Sequence, residues 1–168
     1  SQVKANSPVR IDGNVPLQPT STNFVASGCT FGTPTVSGVT ATSTLLSCNS
    51  DGIFSLTVTA LDMVNNSVTL TVNYVYVGPK LNSTLAPNSP VNADSSLRFE
   101  FNVPIQSTNI NVVAAGCTFG TPSVSGQIAT VTLRSCDTQG PFSLTITALD
   151  LVNNTATLTV DYVYDTIN

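Results

Sequence analysis

The sequence predicts an all-β protein made of two tandem antiparallel β-sandwiches, and three observations carry that expectation. First, apolar and polar residues alternate along much of the chain. Leu97, Phe99, Phe101 and Val103 share one face of a segment whose other face holds Arg98, Glu100 and Asn102, the pattern of a strand with one dry and one wet side. Second, no stretch keeps apolar residues at i, i+3, i+4 and i+7, and helix-favouring Glu, Lys, Arg and Met are scarce. Third, the chain repeats itself at an offset of 88 residues. Residues 1–80 laid on 89–168 match at 48 of 80 positions without a gap. Cys29-Thr30-Phe31-Gly32-Thr33-Pro34 returns as Cys117-Thr118-Phe119-Gly120-Thr121-Pro122, and Tyr74-Val75-Tyr76 as Tyr162-Val163-Tyr164. Duplication this close points to modules in an array.

In the second copy, strands are expected near 82–86, 96–103, 109–114, 117–124, 128–135, 142–149 and 155–164. The alternation of Leu97 to Val103 sets the second of these. Phe142, Leu144, Ile146 and Ala148 set the sixth, and Ala156, Leu158, Val160 and Tyr162 set the last. Turn residues punctuate them: Ser125-Gly126-Gln127, Asp137-Thr138-Gln139-Gly140-Pro141 and Val152-Asn153-Asn154. The first copy repeats the same strands 88 residues earlier, except that the equivalent of 82–86 falls before Ser1. About seven short strands per 85 residues is the pattern of an immunoglobulin-like sandwich. The domains expected are 1–78, trimmed at its N-terminal side, and 79–168. Gly78-Pro79-Lys80-Leu81-Asn82-Ser83-Thr84 is the junction, short enough to predict an elongated pair.

Only 8% of residues are charged, against about 25% in a typical globular protein. Ser, Thr and Asn must supply the polar surface instead, which suits exposed extracellular sheets better than cytosolic enzymes. The net charge is −4 and the five Lys/Arg residues are scattered singly, so no basic patch exists for nucleic acid. No apolar run approaches the roughly 18–20 residues that span a bilayer, so no membrane contact is expected within these residues. No signal peptide opens the sequence. Ser1 aligns with Ser89 and Asn168 with Lys80, which predicts a piece of a longer repeat array whose targeting signal lies elsewhere.

Each copy holds two cysteines 19 positions apart. The midpoint of Cys29 and Cys48 is 38.5, beside Gly38, and that of Cys117 and Cys136 is 126.5, beside Gly126. If each Ser-Gly pair turns a hairpin, the cysteines face each other at the usual disulfide Cα separation of about 5.5 Å. The expected bridges are therefore Cys29–Cys48 and Cys117–Cys136. A zinc site is the rival for paired cysteines, but there is no histidine at all and 18 residues part the thiols. Disulfides imply an oxidising compartment, at the cell surface, secreted or periplasmic.

Leu97-Arg98-Phe99-Glu100-Phe101-Asn102-Val103-Pro104-Ile105, Gly116-Cys117-Thr118-Phe119-Gly120, and Phe142 through Ala148-Leu149-Asp150-Leu151-Val152-Asn153-Asn154 together resemble bacterial immunoglobulin-like (Big) repeats. The resemblance covers both copies. It departs at Asn102-Val103 in place of the usual Ser-Glu, and at Asn65-Asn66 and Asn153-Asn154 in place of Gly-Asn in the last turn. Asn tolerates positive φ, so the turn survives. Membership implies repeats of a bacterial surface adhesin, fibre or stalk, with neighbouring Ig-like repeats of the same chain as partners. The expected location is extracellular, on a bacterial surface. It brings no catalytic residues.

No catalytic site is expected. The absence of histidine removes Ser–His and Cys–His nucleophiles. Glu100, Asp150, Asp161 and Asp165 in the second copy, with Asp12 and Asp62 in the first, read as solvated strand-face carboxylates rather than a glycosidase pair. No cofactor is expected, with calcium the one candidate: Asp62 and Asp150 open Asp-x-x-Asn-Asn turns, Asp165 lies near the C-terminal end, and carboxylates at extracellular junctions bind calcium. The preferred reading is that each Asp caps its own turn. Tyr74, Tyr76, Tyr162 and Tyr164 end the last strands and read as core closure rather than a sugar platform. Lys4 and Lys80 align with Asn92 and Asn168, so no isopeptide lysine recurs. Asn65, Asn82 and Asn153 head Asn-x-Ser/Thr triplets, a pattern frequent by chance in such a composition.

The functional expectation is a non-catalytic stalk on a bacterial surface. The alternative is an adhesive module that binds a glycan, or a surface protein of a host or prey cell, through loops at one end of a sandwich.

Overall fold

The computed structural model describes residues 1–166, and the chain divides into two compact units, Ser1–Gly78 and a second beginning at Pro79. The first unit holds β1 (Gln2–Lys4), β2 (Ser7–Asp12), β3 (Asn23–Val25), β4 (Cys29–Phe31), β5 (Thr35–Ser37), β6 (Thr40–Cys48), β7 (Gly52–Leu61) and β8 (Ser67–Val77). The second holds β9 (Leu81–Ser83), β10 (Ser89–Val91), β11 (Ser96–Phe101), β12 (Ile105–Ala114), β13 (Cys117–Phe119), β14 (Ser123–Ser125), β15 (Ile128–Cys136), β16 (Gly140–Asp150) and β17 (Thr155–Tyr164). Among the described residues there is no helix.

Each unit is two facing sheets. In the second, one sheet runs β10-β17-β16-β12 and the other β13-β15-β11-β9, with β14 also on β15. The first unit repeats this as β1-β8-β7-β3 and β2-β6-β4, with β5 also on β6. In the second unit the chain changes sheet after β9, β10, β11, β12 and β15, and β16 and β17 close it as a hairpin at the centre of one sheet, a strand order of the immunoglobulin kind. The alternation read in the sequence places the core. Leu97, Phe99 and Phe101 of β11 face Leu144, Ile146 and Ala148 of β16, all buried, with Leu133 and Tyr162 beside them. Leu45, Leu56, Val9 and Val58 hold the corresponding places in the first unit.

Three features differ from the sequence expectation. A strand at β10, and its counterpart β1, is absent from the expected set. Three residues including Pro90 give no alternation to detect, and their partner lies some 70 residues away. These strands also pair in parallel with β17 and β8, so the sandwiches are not wholly antiparallel. Pro90 is accommodated because β10 is an edge strand. Second, the strand expected at 117–124 breaks into β13 and β14 across Gly120-Thr121-Pro122, as β4 and β5 do across Gly32-Thr33-Pro34. Third, β12 begins earlier, at Ile105, with an irregularity between Ile105 and Ile110.

Where a sheet face meets water, hydroxyls pair across strands. Thr57 with Thr71 (3.3 Å), Thr145 with Thr159 (2.9 Å) and Thr147 with Thr157 (3.2 Å) lie directly opposite one another. Ser55 donates to Asn73 (2.6 Å) and Ser143 to Asp161. These are the cross-strand pairs that stabilise sheets, supplied here almost without charges.

Candidate functional site

The cysteines are joined as Cys29–Cys48 and Cys117–Cys136. Gly38 and Gly126 turn the hairpins at positive φ of 60° and 61°, and Cys29 faces Cys48 across β4 and β6 as Cys117 faces Cys136 across β13 and β15. Both Cα separations are 4.0 Å, closer than the usual disulfide spacing. The register explains the closeness. The Asn49 N–H donates to the Gly28 carbonyl (2.8 Å) and the Asp137 N–H to that of Gly116 (2.7 Å), so the cysteines occupy the narrow, non-hydrogen-bonded pair that follows. Each bridge therefore locks two strands of one sheet. Paired disulfides are features of secreted and surface-exposed proteins. No helix is long and apolar enough to cross a membrane among the described residues.

Asp62 and Asp150 each organise a turn. The Asp62 Oδ1 accepts the backbone N–H groups of Val64 (2.9 Å) and Asn66 (2.8 Å), while Oδ2 accepts the Asn66 side-chain amide (2.8 Å). Asp150 repeats this with Val152, Asn154 and the Asn154 amide, each at 2.9 Å. Asn65 and Asn153 take positive φ of 67° and 68°, the conformation that asparagine tolerates best after glycine. Gln18 and Gln106 clamp the turns from outside, donating to the carbonyls of Asp62 (2.7 Å) and Asp150 (2.8 Å) and to Asn65 and Asn153. Both carboxylates are thus filled by their own loops.

Asp150 and Asp165, the calcium candidates of the second unit, are not brought together. Asp150 ends β16 beside the start of β17, whereas Asp165 follows the far end of β17 and donates its N–H to the Val91 carbonyl (2.9 Å). Ten strand residues separate the two ends, about 30 Å at strand rise. Asp62 belongs to the other unit. Among the described residues, no group of three or more His, Cys, Asp or Glu side chains could hold a metal ion.

Of the remaining carboxylates, Asp12 pairs with Arg10 (2.8 Å) and Glu100 with Arg98 (3.0 Å), both exposed. Such surface pairs contribute little to stability. Asp161 accepts from Ser143.

The amide donors at the turn hold the Asp62 carboxyl below its ordinary value of 3.8, the Asn66 side chain contributing most and the Asn66 and Val64 N–H groups adding to it. A group depressed on folding stabilises the native state above its unfolded pKa and loses that contribution as pH falls through the folded value. A carbon-detected NMR titration is therefore expected to place the Asp62 midpoint below 3.8, and Asn66→Ala is expected to move it upward. A midpoint unmoved by that variant would contradict the turn geometry.

Tyr76, Tyr162 and Tyr164 lie in the cores. Tyr162 is fully buried against Phe142, with ring centroids 5.9 Å apart, and its hydroxyl meets Ser83 Oγ of β9 at 2.5 Å. Burial raises the Tyr162 phenol above its ordinary 10.0, offset in part by the Ser83 hydrogen bond. A raised phenol leaves stability intact below pH 10 and removes it as pH climbs through the folded value. Absorbance at alkaline pH is expected to show one phenol ionising later than free tyrosine, together with unfolding of the second unit. Tyr162→Phe is expected to remove that late step.

Tyr74, the counterpart of Tyr162, is only half-buried, although it stacks on Phe54 at 5.8 Å. Sequence reasoning treated the two as equivalent. Tyr162 is covered by β9, whose counterpart at the 88-residue offset would fall before Ser1. The contrast between Phe101 and Gly13, 88 positions apart, was a readable signal that the two units differ there.

No protein-family model matches the chain, and no curated protein does. Solved structures match at the level of architecture. CopC from Methylosinus trichosporium OB3b aligns with 54% of this chain and 96% of its own, at 8% identity and a TM-score of 0.43. A Bacteroides ovatus mixed-linkage glucan utilization protein, SGBP-B, in complex with a mixed-linkage heptasaccharide, aligns with 98% of this chain and 42% of its own at 17% identity and 0.36. The fibronectin(III)-like modules of Clostridium thermocellum CbhA align over 98% and 88% at 12% identity and 0.31. Such similarity carries no functional argument. The immunoglobulin-like assignment stands on the strand order itself.

Proposed function

We propose that the chain is a non-catalytic, tension-bearing pair of Ig-like repeats from a bacterial surface adhesin or fibre, of the Big-repeat kind. The observation that carries this is the parallel pairing of a strand near the start of each unit with that unit's last strand. β1 lies on β8 with Gln2, Val3 and Lys4 against Val75, Tyr76 and Val77. β10 lies on β17 with Ser89, Pro90 and Val91 against Tyr162, Val163 and Tyr164. Parallel strands put the entry and exit of each unit at opposite ends. Pulling on them shears the intervening hydrogen bonds together, where a hairpin would unzip them singly. The Asn88 N–H to Asp161 carbonyl (2.7 Å) and Asp165 N–H to Val91 carbonyl (2.9 Å) contacts extend the clamp in the second unit. The disulfides then withhold the hairpin between each cysteine pair from extension.

Single-molecule stretching tests this. Two abrupt unfolding steps are expected, each lengthening on reduction by the chain span of its cysteine pair, a sequence separation of 19, roughly 65 Å of extended chain. Extension without abrupt steps would refute the clamp. Specific binding of the chain on a glycan array would replace this reading with the ligand-binding one.

A further inference from the structure

The sheet edges of the second unit are not alike. β10 carries Pro90, β9 is three residues long, and the β13–β14 edge is broken at Gly120-Thr121-Pro122. Proline, brevity and interruption are guards against pairing at an exposed edge. β12 has none of them. It ends its sheet, runs for ten residues, and holds no charged residue and no proline.

The ladder sets the direction of its main-chain groups. The Asp161 carbonyl and the Asp165 N–H bond toward β10, so the alternate residues of β17, Val160 among them, bond toward β16. Val160 faces Leu144, which leaves Thr145 and Thr147 to bond Val113 and Asn111 of β12. Ile110, Val112 and Ala114 therefore turn their N–H and C=O groups to the open side. Their side chains point inward and are only half-buried, whereas Ala148, Ile146 and Leu144 opposite them on β16 are sealed. Val113, on the outer face, is 54% exposed.

The first unit seals the inner side of the same edge. Its strand there, β3, keeps three residues. Phe24 and Ala26, at the positions of Val112 and Ala114, are buried, with the Phe24 ring 6.3 Å from that of Phe31. Valine is too short to fill what that ring fills.

We infer that β12 is a self-association edge, taking β12 of a second copy of this chain antiparallel about a two-fold axis at Val112. Val112 then lies opposite Val112 of the second copy, and Ile110 opposite its Ala114. That register engages the edge-facing main-chain groups of both strands and lets the half-buried inward side chains cover one another. A slip of one residue would turn the apolar set to the solvent face. Charge selects a second copy as the occupant. Each chain is net −4, yet β12 and the adjoining Thr145 and Thr147 are neutral, so two copies meet without like charges facing. A charged segment would find no counter-charge there. An isologous contact of this kind closes at two copies. It goes beyond a load-bearing role, since it joins stalks side by side.

The test follows the 168-residue chain from micromolar to millimolar concentration by sedimentation equilibrium and amide hydrogen exchange. A monomer–dimer equilibrium is expected, with exchange at Ile110, Val112 and Ala114 slowed about tenfold once about nine-tenths of the chains are paired. Val113→Lys sets two like charges at the joint and is expected to weaken pairing about tenfold. Val25→Lys, at the matching and equally exposed position of the first unit, is expected to leave pairing unchanged. Circular dichroism checks that both variants fold, and the exchange pattern of the parent chain decides if either does not. A chain that stays monomeric at millimolar concentration overturns the proposal, as does growth beyond the dimer or protection confined to other strands. Pairing of folded Val113→Lys as tight as the parent's, or equal weakening by Val25→Lys, overturns it too.

Discussion

Replacing Cys117 and Cys136 together by alanine is expected to lower the stability of the second unit by about 3 kcal/mol. The bridge closes a loop with a sequence separation of 19, and the dominant effect is release of chain entropy in the unfolded state. In a domain this small the melting temperature should fall by roughly 15–20 °C. The loss should be confined to one unit. Because Cys29–Cys48 occupies the same hairpin position in the first unit, its removal should produce a comparable shift there. Calorimetry of the two double variants checks both statements. A fall of less than about 3 °C would mean that the register of β13 on β15 is held by the hairpin alone.

The second large effect concerns Asp150. Alanine there removes the acceptor for the Val152 and Asn154 N–H groups and for the Asn154 side chain. Asp150 is only 2% exposed, so those donors lose their partner where water reaches them poorly. The expected cost is about 3 kcal/mol, measured by urea unfolding. Asp62 makes the same bonds in a more open turn, and Asp62→Ala should cost distinctly less. Asp150→Asn keeps an oxygen for the two N–H groups and should recover much of the loss. Equal costs for the Asp62 and Asp150 alanine variants would show that burial does not set the price of the turn.

Most of the architecture was legible because the strands obey period two and the duplication supplied a second reading of each. The cysteine pairing followed from the position of Gly38 and Gly126 between the partners. The Asp-x-x-Asn-Asn turn was readable from local chemistry, since every group that satisfies Asp62 lies within four residues of it. Pairing between distant segments was not readable. Ser89-Pro90-Val91 carries no periodicity, and nothing local marks it as the partner of Tyr162-Val163-Tyr164. The unequal burial of Tyr74 and Tyr162 was hidden for the same reason: their neighbours in sequence are nearly identical, and the distinction comes from a strand contributed elsewhere in the fold.

The threonine pairs across β7–β8 and β16–β17 have a consequence for where such a protein can work. Dissolved ions weaken interactions between exposed charges, largely cancelling those beyond about 10 Å at 0.1 M salt, but a pair of neutral hydroxyls offers them nothing to screen. A sheet surface held by such pairs should keep its stability from fresh water to brine. It should also give passing polyelectrolytes little to adhere to.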